Sequence, residues 1–164
     1  MKQFHKLLIF TLTFIPLFIA CGSTKESTNS ELDEVSIAKA ERIILELVNK
    51  HRKKNDLPKL KAIDELTEIA EKHSKNMGDG KVKVGHGGFD NRYNKIKKEI
   101  KNVGSAAENV AFGNTSLKKI VDGWIASPHH KGNIEGPFNY TGVGIYRNKQ
   151  GVLFYTQIFI NKVK

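Results

Sequence analysis

Cys21 is the chain's only cysteine, so no intrachain disulfide can hold the fold together and a disulfide-stapled scaffold is excluded. Long apolar runs are missing too. The longest, from Leu7 to Ala20, covers 14 residues, short of the ~20 that a bilayer-crossing helix needs. Acid is scarce: 17 acidic residues face 27 lysines and arginines, for a formal charge of +10. Such a surface favours acidic partners, among them anionic headgroups and sulfated glycans. The basic residues are scattered over several segments and no nucleic-acid module is present, which argues against nucleic acid as the partner. The glycine-rich stretch 78–88 has no strand leading into it and no Gly-Lys-Ser/Thr after it, so it is not a phosphate-binding loop. At 164 residues the chain has room for one domain with one core.

What is present begins with a secretion signal. MKQFHK carries two lysines and no acid, the apolar run follows, and small Ala20 precedes the break to polar GSTKESTNSELDE. Phe18-Ile19-Ala20-Cys21 resembles a bacterial lipobox, with phenylalanine where leucine is usual, a looseness known in spirochaetes. Residues 1–20 are thus expected to be a lipoprotein signal peptide. Residues 21–33 then form a tether starting at a lipidated, palmitate-bearing Cys21, and residues 34–164 form a single domain. The other reading of Cys21 is a free thiol after an ordinary signal. Loss of residues 1–20 removes Lys2 and Lys6 and lowers the formal charge to +8. The expected place is the outer membrane or cell surface, with the membrane engaged through the lipid anchor and the domain monomeric.

Folded structure is expected to begin near Glu34, and Ile37, Ala40, Ile44, Leu47 and Val48 recur at helical spacing on one stripe. Lys50 to Lys54 place positive charge at that helix's C-terminal end, and Leu57-Pro58 stops it. Asp64 is a candidate N-cap for a second helix, whose apolar face is Leu66, Ile69, Ala70, His73 and Met77 and whose stop is Gly78. His73 on that stripe reads as a packing histidine. Phe89, Tyr93, Ile96 and Ile100 give a third helix, and Glu108 to Phe112 is extended. Thr115 or Ser116 caps a fourth helix with Leu117, Ile120, Val121 and Trp124 on its apolar face. Ser127-Pro128 ends it, and His129 and His130 follow in a short polar loop. Val143 to Tyr146 is a strand, Asn148 to Gly151 a turn, and VLFYTQIFI a strand apolar on both sides and therefore central. Four helices about a small antiparallel sheet make an α+β domain.

Taken together, five segments resemble the CAP superfamily, named for cysteine-rich secretory, antigen 5 and pathogenesis-related 1 proteins. They are LVNKHRKKNDLPKL, LTEIAEKHSKNM, AAENVAFG (alanine at 107 where glycine is usual), the Trp124, Ser127, Pro128, His130, Asn133 pattern, and TGVGIY. The resemblance runs from about Ala38 to Ile160. It implies a three-layer α-β-α sandwich with a small, mainly antiparallel central sheet. It also implies a cleft in which His86, Glu108 and His130 match the family's two histidines and first glutamate. Ser127 stands where some members have a second glutamate. The animal proteins' disulfides and cysteine-rich extension are lacking.

Several chemistries stay open for that cleft and its neighbours Ser127, His129 and Asn109. Two imidazoles and a carboxylate are a ligand set for weakly bound zinc with an open position for water. The three lie on separate loops, with no rigid His-Glu-x-x-His pair, and hydrolysis would need a further acid as base. His130 or His129 could instead activate Ser127, with Glu108 orienting the base. Ser127 also reads as a helix stop whose hydroxyl bonds local backbone. The whole cluster also reads as a hydrogen-bonded tie between the fourth helix and the sheet, with Asn109 and Asn133 structural. Three functions follow: a binding module for a host or envelope ligand that needs no cofactor (lipid or sterol by family analogy), a metal-dependent hydrolase or protease, and an adhesin for acidic glycans.

Overall fold

The computed structural model describes residues 36–163. The expected signal peptide, the tether and Cys21 lie outside the described residues. In chain order the elements are α1 (Ile37–Lys54), β1 (Lys61–Ala62), α2 (Asp64–Gly78), α3 (Phe89–Glu99), β2 (Val103–Phe112), α4 (Leu117–Ala126), α5 (Pro128–Glu135), β3 (Tyr140–Arg147) and β4 (Leu153–Lys162). The strands form one sheet in the order β1-β3-β4-β2, antiparallel except for the short parallel pairing of β1 with β3. β4 is therefore interior, as its two-sided apolar pattern requires.

Strand alternation sends side chains to two helical layers. Leu153, Tyr155 and Phe159 of β4 join Val143 and Ile145 of β3 under α1, α4 and α5, where Ile44, Val48, Ile120 and Trp124 complete the core. Ile158 and Ile160 face the other way, against Leu66, Ile69 and Ala70 of α2 and Ile96 of α3. The result is the three-layer α-β-α sandwich that the family resemblance implies.

α2 lies directly on the backbone of β3. A Cβ on Gly142 would overlap the Leu66–Thr67 peptide, and one on Gly144 would overlap the Ala70–Glu71 peptide. The two glycines of TGVGIY are there because no side chain fits under the helix. Ser74 Oγ, fully buried, bridges the Gly144 carbonyl and Thr156 Oγ1 at 2.8 Å each.

α1 is capped by Ser36, whose Oγ accepts from the Lys39 amide. Several local expectations need correction. Asp64 is the first residue of α2 and not its cap, so its charge faces the helix N-terminus without a capping bond. Gly78 is the last residue of α2 but not its left-handed stop, which is Gly80 (φ 71°); glycine is needed at 78 because a Cβ there would sit 2.6 Å from the Tyr146 ring. His129 and His130 are on α5, a fifth helix, and not in a loop. Pro128 opens that helix with its φ already fixed. Arg52 is no solvated dipole partner. It is 1% exposed and donates to four carbonyls, those of Pro58 (2.7 Å), Ile134 (2.7 Å), Gly136 (3.0 Å) and Phe138 (3.1 Å). It thereby ties the end of α1 to the chain between α5 and β3.

Candidate functional site

β2 is an edge strand, and the site is wrapped around its open side. Glu108 and Asn109 are consecutive, so they point to opposite faces of the sheet. Glu108 faces α2 and α3, with its side chain 2% exposed. There it meets Arg92 of α3: Nε donates to Oε2 at 2.8 Å and Nη2 to Oε1 at 2.7 Å. His86, from the loop between α2 and α3, brings Nδ1 to 3.0 Å from Oε1. A carboxylate can only accept, so that nitrogen is the donor. His73 of α2 lies behind, its Nε2–H donating to the Gly85 carbonyl at 2.9 Å and standing 3.8 Å from Glu108. Burial holds the His73 pKa below the usual imidazole value, and the Gly85 bond and Glu108 offset this only in part.

Asn109 faces the other layer. Its Nδ2 donates to the His130 carbonyl at 3.0 Å, and Asn133 Nδ2 donates both to Asn109 Oδ1 (2.9 Å) and to the Glu108 carbonyl (3.1 Å). Trp124 Nε1 donates to the Val110 carbonyl at 3.1 Å. Glu108 and Val110, two residues apart and so on one edge of the strand, thus have their carbonyls satisfied by α5 and α4. These bonds set His130 on the cleft from one side while His86 approaches from the other. Their ring centroids are 6.2 Å apart, tilted by 50°. Burial first, then the neighbouring His86 and His129, depress the His130 pKa.

Of the residues singled out in the sequence, His86 and Glu108 are in contact, His130 faces His86, and Asn109 anchors His130 through its backbone. His129 is exposed. Ser127 closes α4 and opens α5, and its hydroxyl makes no capping bond. Among the described residues no hydrogen bond joins it to either histidine, so no nucleophile–base pair is assembled. Asp122 is bonded to Lys118 on the exposed face of α4. A His-His-Glu metal centre needs all three donors aimed at one point about 2 Å away. Both Glu108 oxygens are already engaged, and among the described residues no three His, Cys, Asp or Glu side chains are grouped to hold a metal. As arranged, these residues do not fit that centre.

Arg92 is the member that sequence reading missed. Its sign was available: only 4 of the 27 basic residues are arginine. In a lysine-rich chain, arginine remains where a planar, many-pronged donor is required. Two of the four, Arg52 and Arg92, are in such places.

An α-β-α sandwich with a carboxylate and facing imidazoles at its edge strand has the layout of a CAP domain. Residues 45–159 match the family model for the cysteine-rich secretory protein family, CAP, and the chain belongs to that family. The chain is similar to the uncharacterized protein YkwD of Bacillus subtilis, 30% identical over 148 residues, 85% of this chain and 54% of YkwD. It is also similar to the uncharacterized membrane protein YlbC of the same organism, 29% identical over 128 residues, 75% of this chain and 35% of YlbC. It therefore spans about half, or less, of the length of these curated relatives. Among solved structures, an outer surface protein from Borrelia burgdorferi superposes with a TM-score of 0.68, covering 79% of this chain and 97% of that one; at 20% identity this shows the fold alone. An extracellular SCP-domain protein from Bacillus anthracis gives 0.62 at 26% identity, covering 77% and 43%.

Proposed function

We propose that the protein is a surface-anchored lipoprotein whose CAP domain is a non-enzymatic binding module for a host or envelope ligand, a lipid or sterol by family analogy. One observation carries the non-enzymatic reading: Glu108, the cleft's carboxylate, is held by Arg92 and His86. Hydrolysis requires a free base, an activated nucleophile or a metal. Here the Glu108 carboxylate is engaged by Arg92, and among the described residues neither Ser127 nor any other serine is hydrogen-bonded to the His86 that it orients. The surface placement is supported by the apolar run ending at Cys21 and by the likeness to an outer surface protein of Borrelia and an extracellular protein of Bacillus anthracis. Acyl chains on Cys21 would make the anchoring stable.

The test is titration of residues 34–164, which include every described residue, with labelled sterol and labelled fatty acid. Saturable binding of one that competes with its unlabelled form is the expected result. No saturable signal from either would remove the lipid ligand. Labelled palmitate should enter the full chain and not the Cys21→Ser variant.

A further inference from the structure

A buried carboxylate is costly without a counter-charge, and a metal ion is one way to supply it. Arg92 supplies another. Besides its two bonds to Glu108, Nη1 donates to the Gly87 carbonyl at 2.9 Å and Nη2 reaches the His86 carbonyl at 3.4 Å. One guanidinium therefore holds both the carboxylate and the loop that carries His86. Its side chain is 13% exposed, and the Phe89 ring lies 5.9 Å from its Cζ. Geometry this constrained, with a two-pronged contact to carboxylate, is the strong form of the ion pair. Glu108 in turn fixes the His86 ring through Nδ1.

We propose that Arg92 is the resident cation of the cleft. It stands against Glu108 where a divalent ion would otherwise bind, and it confines Glu108 to positioning His86. The cleft therefore offers a metal only the two imidazoles, too few donors for a tight site. Glu108 would become a ligand only once Arg92 is gone. This inference concerns the cleft's charge and not its ligand, so it and the lipid reading fail separately.

The experiment is calorimetric zinc titration of the full chain in detergent, unaltered and with Arg92→Gln. The glutamine variant should bind zinc at least about tenfold more tightly, and Glu108→Gln in the same chain should abolish the gain. A purely structural role for Arg92 would produce no gain that depends on Glu108. Equal zinc affinity in the folded variant and the unaltered chain would overturn the proposal. Should the variant fail to fold, crystals of the unaltered protein in millimolar zinc decide. Arg92 still on both Glu108 oxygens supports it, and a zinc ion about 2 Å from a Glu108 oxygen sinks it.

Discussion

Arg52 and Glu41 show how single side chains can matter here without touching the cleft. Arg52 is buried with no carboxylate partner among the described residues, its charge answered by four carbonyls, and desolvation lowers its pKa. Arg52→Ala strands those carbonyls and should cost at least about 3 kcal/mol, since each buried acceptor left unpaired is worth about 1–3 kcal/mol. Arg52→Lys should recover only part of it, because an ammonium cannot reach the same fan of acceptors. Urea midpoints would rank the three proteins. Glu41 works in the opposite direction. Burial raises its pKa from 4.5 to about 7, against the lowering effect of the Ile145 amide it accepts at 3.0 Å, and Glu71 adds to the rise. The folded state thus binds a proton that the unfolded chain releases near pH 4.5. Stability from this group is lost as pH rises from 4.5 towards 7, and the loss is complete above 7. Glu41→Gln keeps the acceptor without the charge. It should stabilise by on the order of 1 kcal/mol at pH 8, allowing for solvent screening, and by nothing measurable at pH 4. An equal gain at both pH values would refute the charge argument.

At the scale of elements, the legible pieces were those whose burial repeats. α1, α2 and α4 each bury a stripe at helical spacing, and β4 buries both faces. α5 has eight residues, of which only Ile134 is buried, so no period exists to read. β1, at two residues, is defined by its pairing with Tyr140 and Thr141 alone. The candidate site was legible only in part, for a related reason. His86, Glu108 and His130 could be placed by motif, whereas Arg92 belongs to no motif and its ion pair exists only once α3 is laid beside β2. The glycines of β3 were visible as a pattern, but their cause was not. Gly144→Ala should cost about 3 kcal/mol or more, because the clash is with α2 backbone and not with a movable side chain. Gly123→Ala, in the exposed turn of α4 with nothing within 4 Å, should instead stabilise by about 0.5–1 kcal/mol. Melting temperatures shifting the same way in both variants would contradict this account of why the strand needs glycine.

Across the whole molecule, both outer edges of the sheet are capped in part from within. On β2, the Gly104 carbonyl accepts from Tyr93 OH at 2.9 Å, and the Glu108 and Val110 carbonyls accept from Asn133 and Trp124. On β3, β1 pairs with the first two residues and Glu41 takes the Ile145 amide. An unpaired strand edge is the usual template for association with a second copy, and here each edge is interrupted by these bonds. The exposed large apolar residues among those described are Val84, Phe112 and Val163, on three different segments, with Phe112 stacked on Phe154. A net positive charge adds repulsion between copies. The fragment of residues 34–164 should therefore sediment as a monomer across roughly 10–500 μM at physiological salt, where a standard specific interface of ~1,600 Å² would already hold a dimer together. Asn133→Ala with Trp124→Phe removes two of the edge donors and keeps the apolar bulk of the tryptophan. If edge closure is what keeps copies apart, that double variant should begin to self-associate at the upper end of the range, whereas Phe112→Ala should change nothing. Dimerisation of the unaltered domain that Phe112→Ala abolishes would shift the explanation from strand edges to that exposed ring.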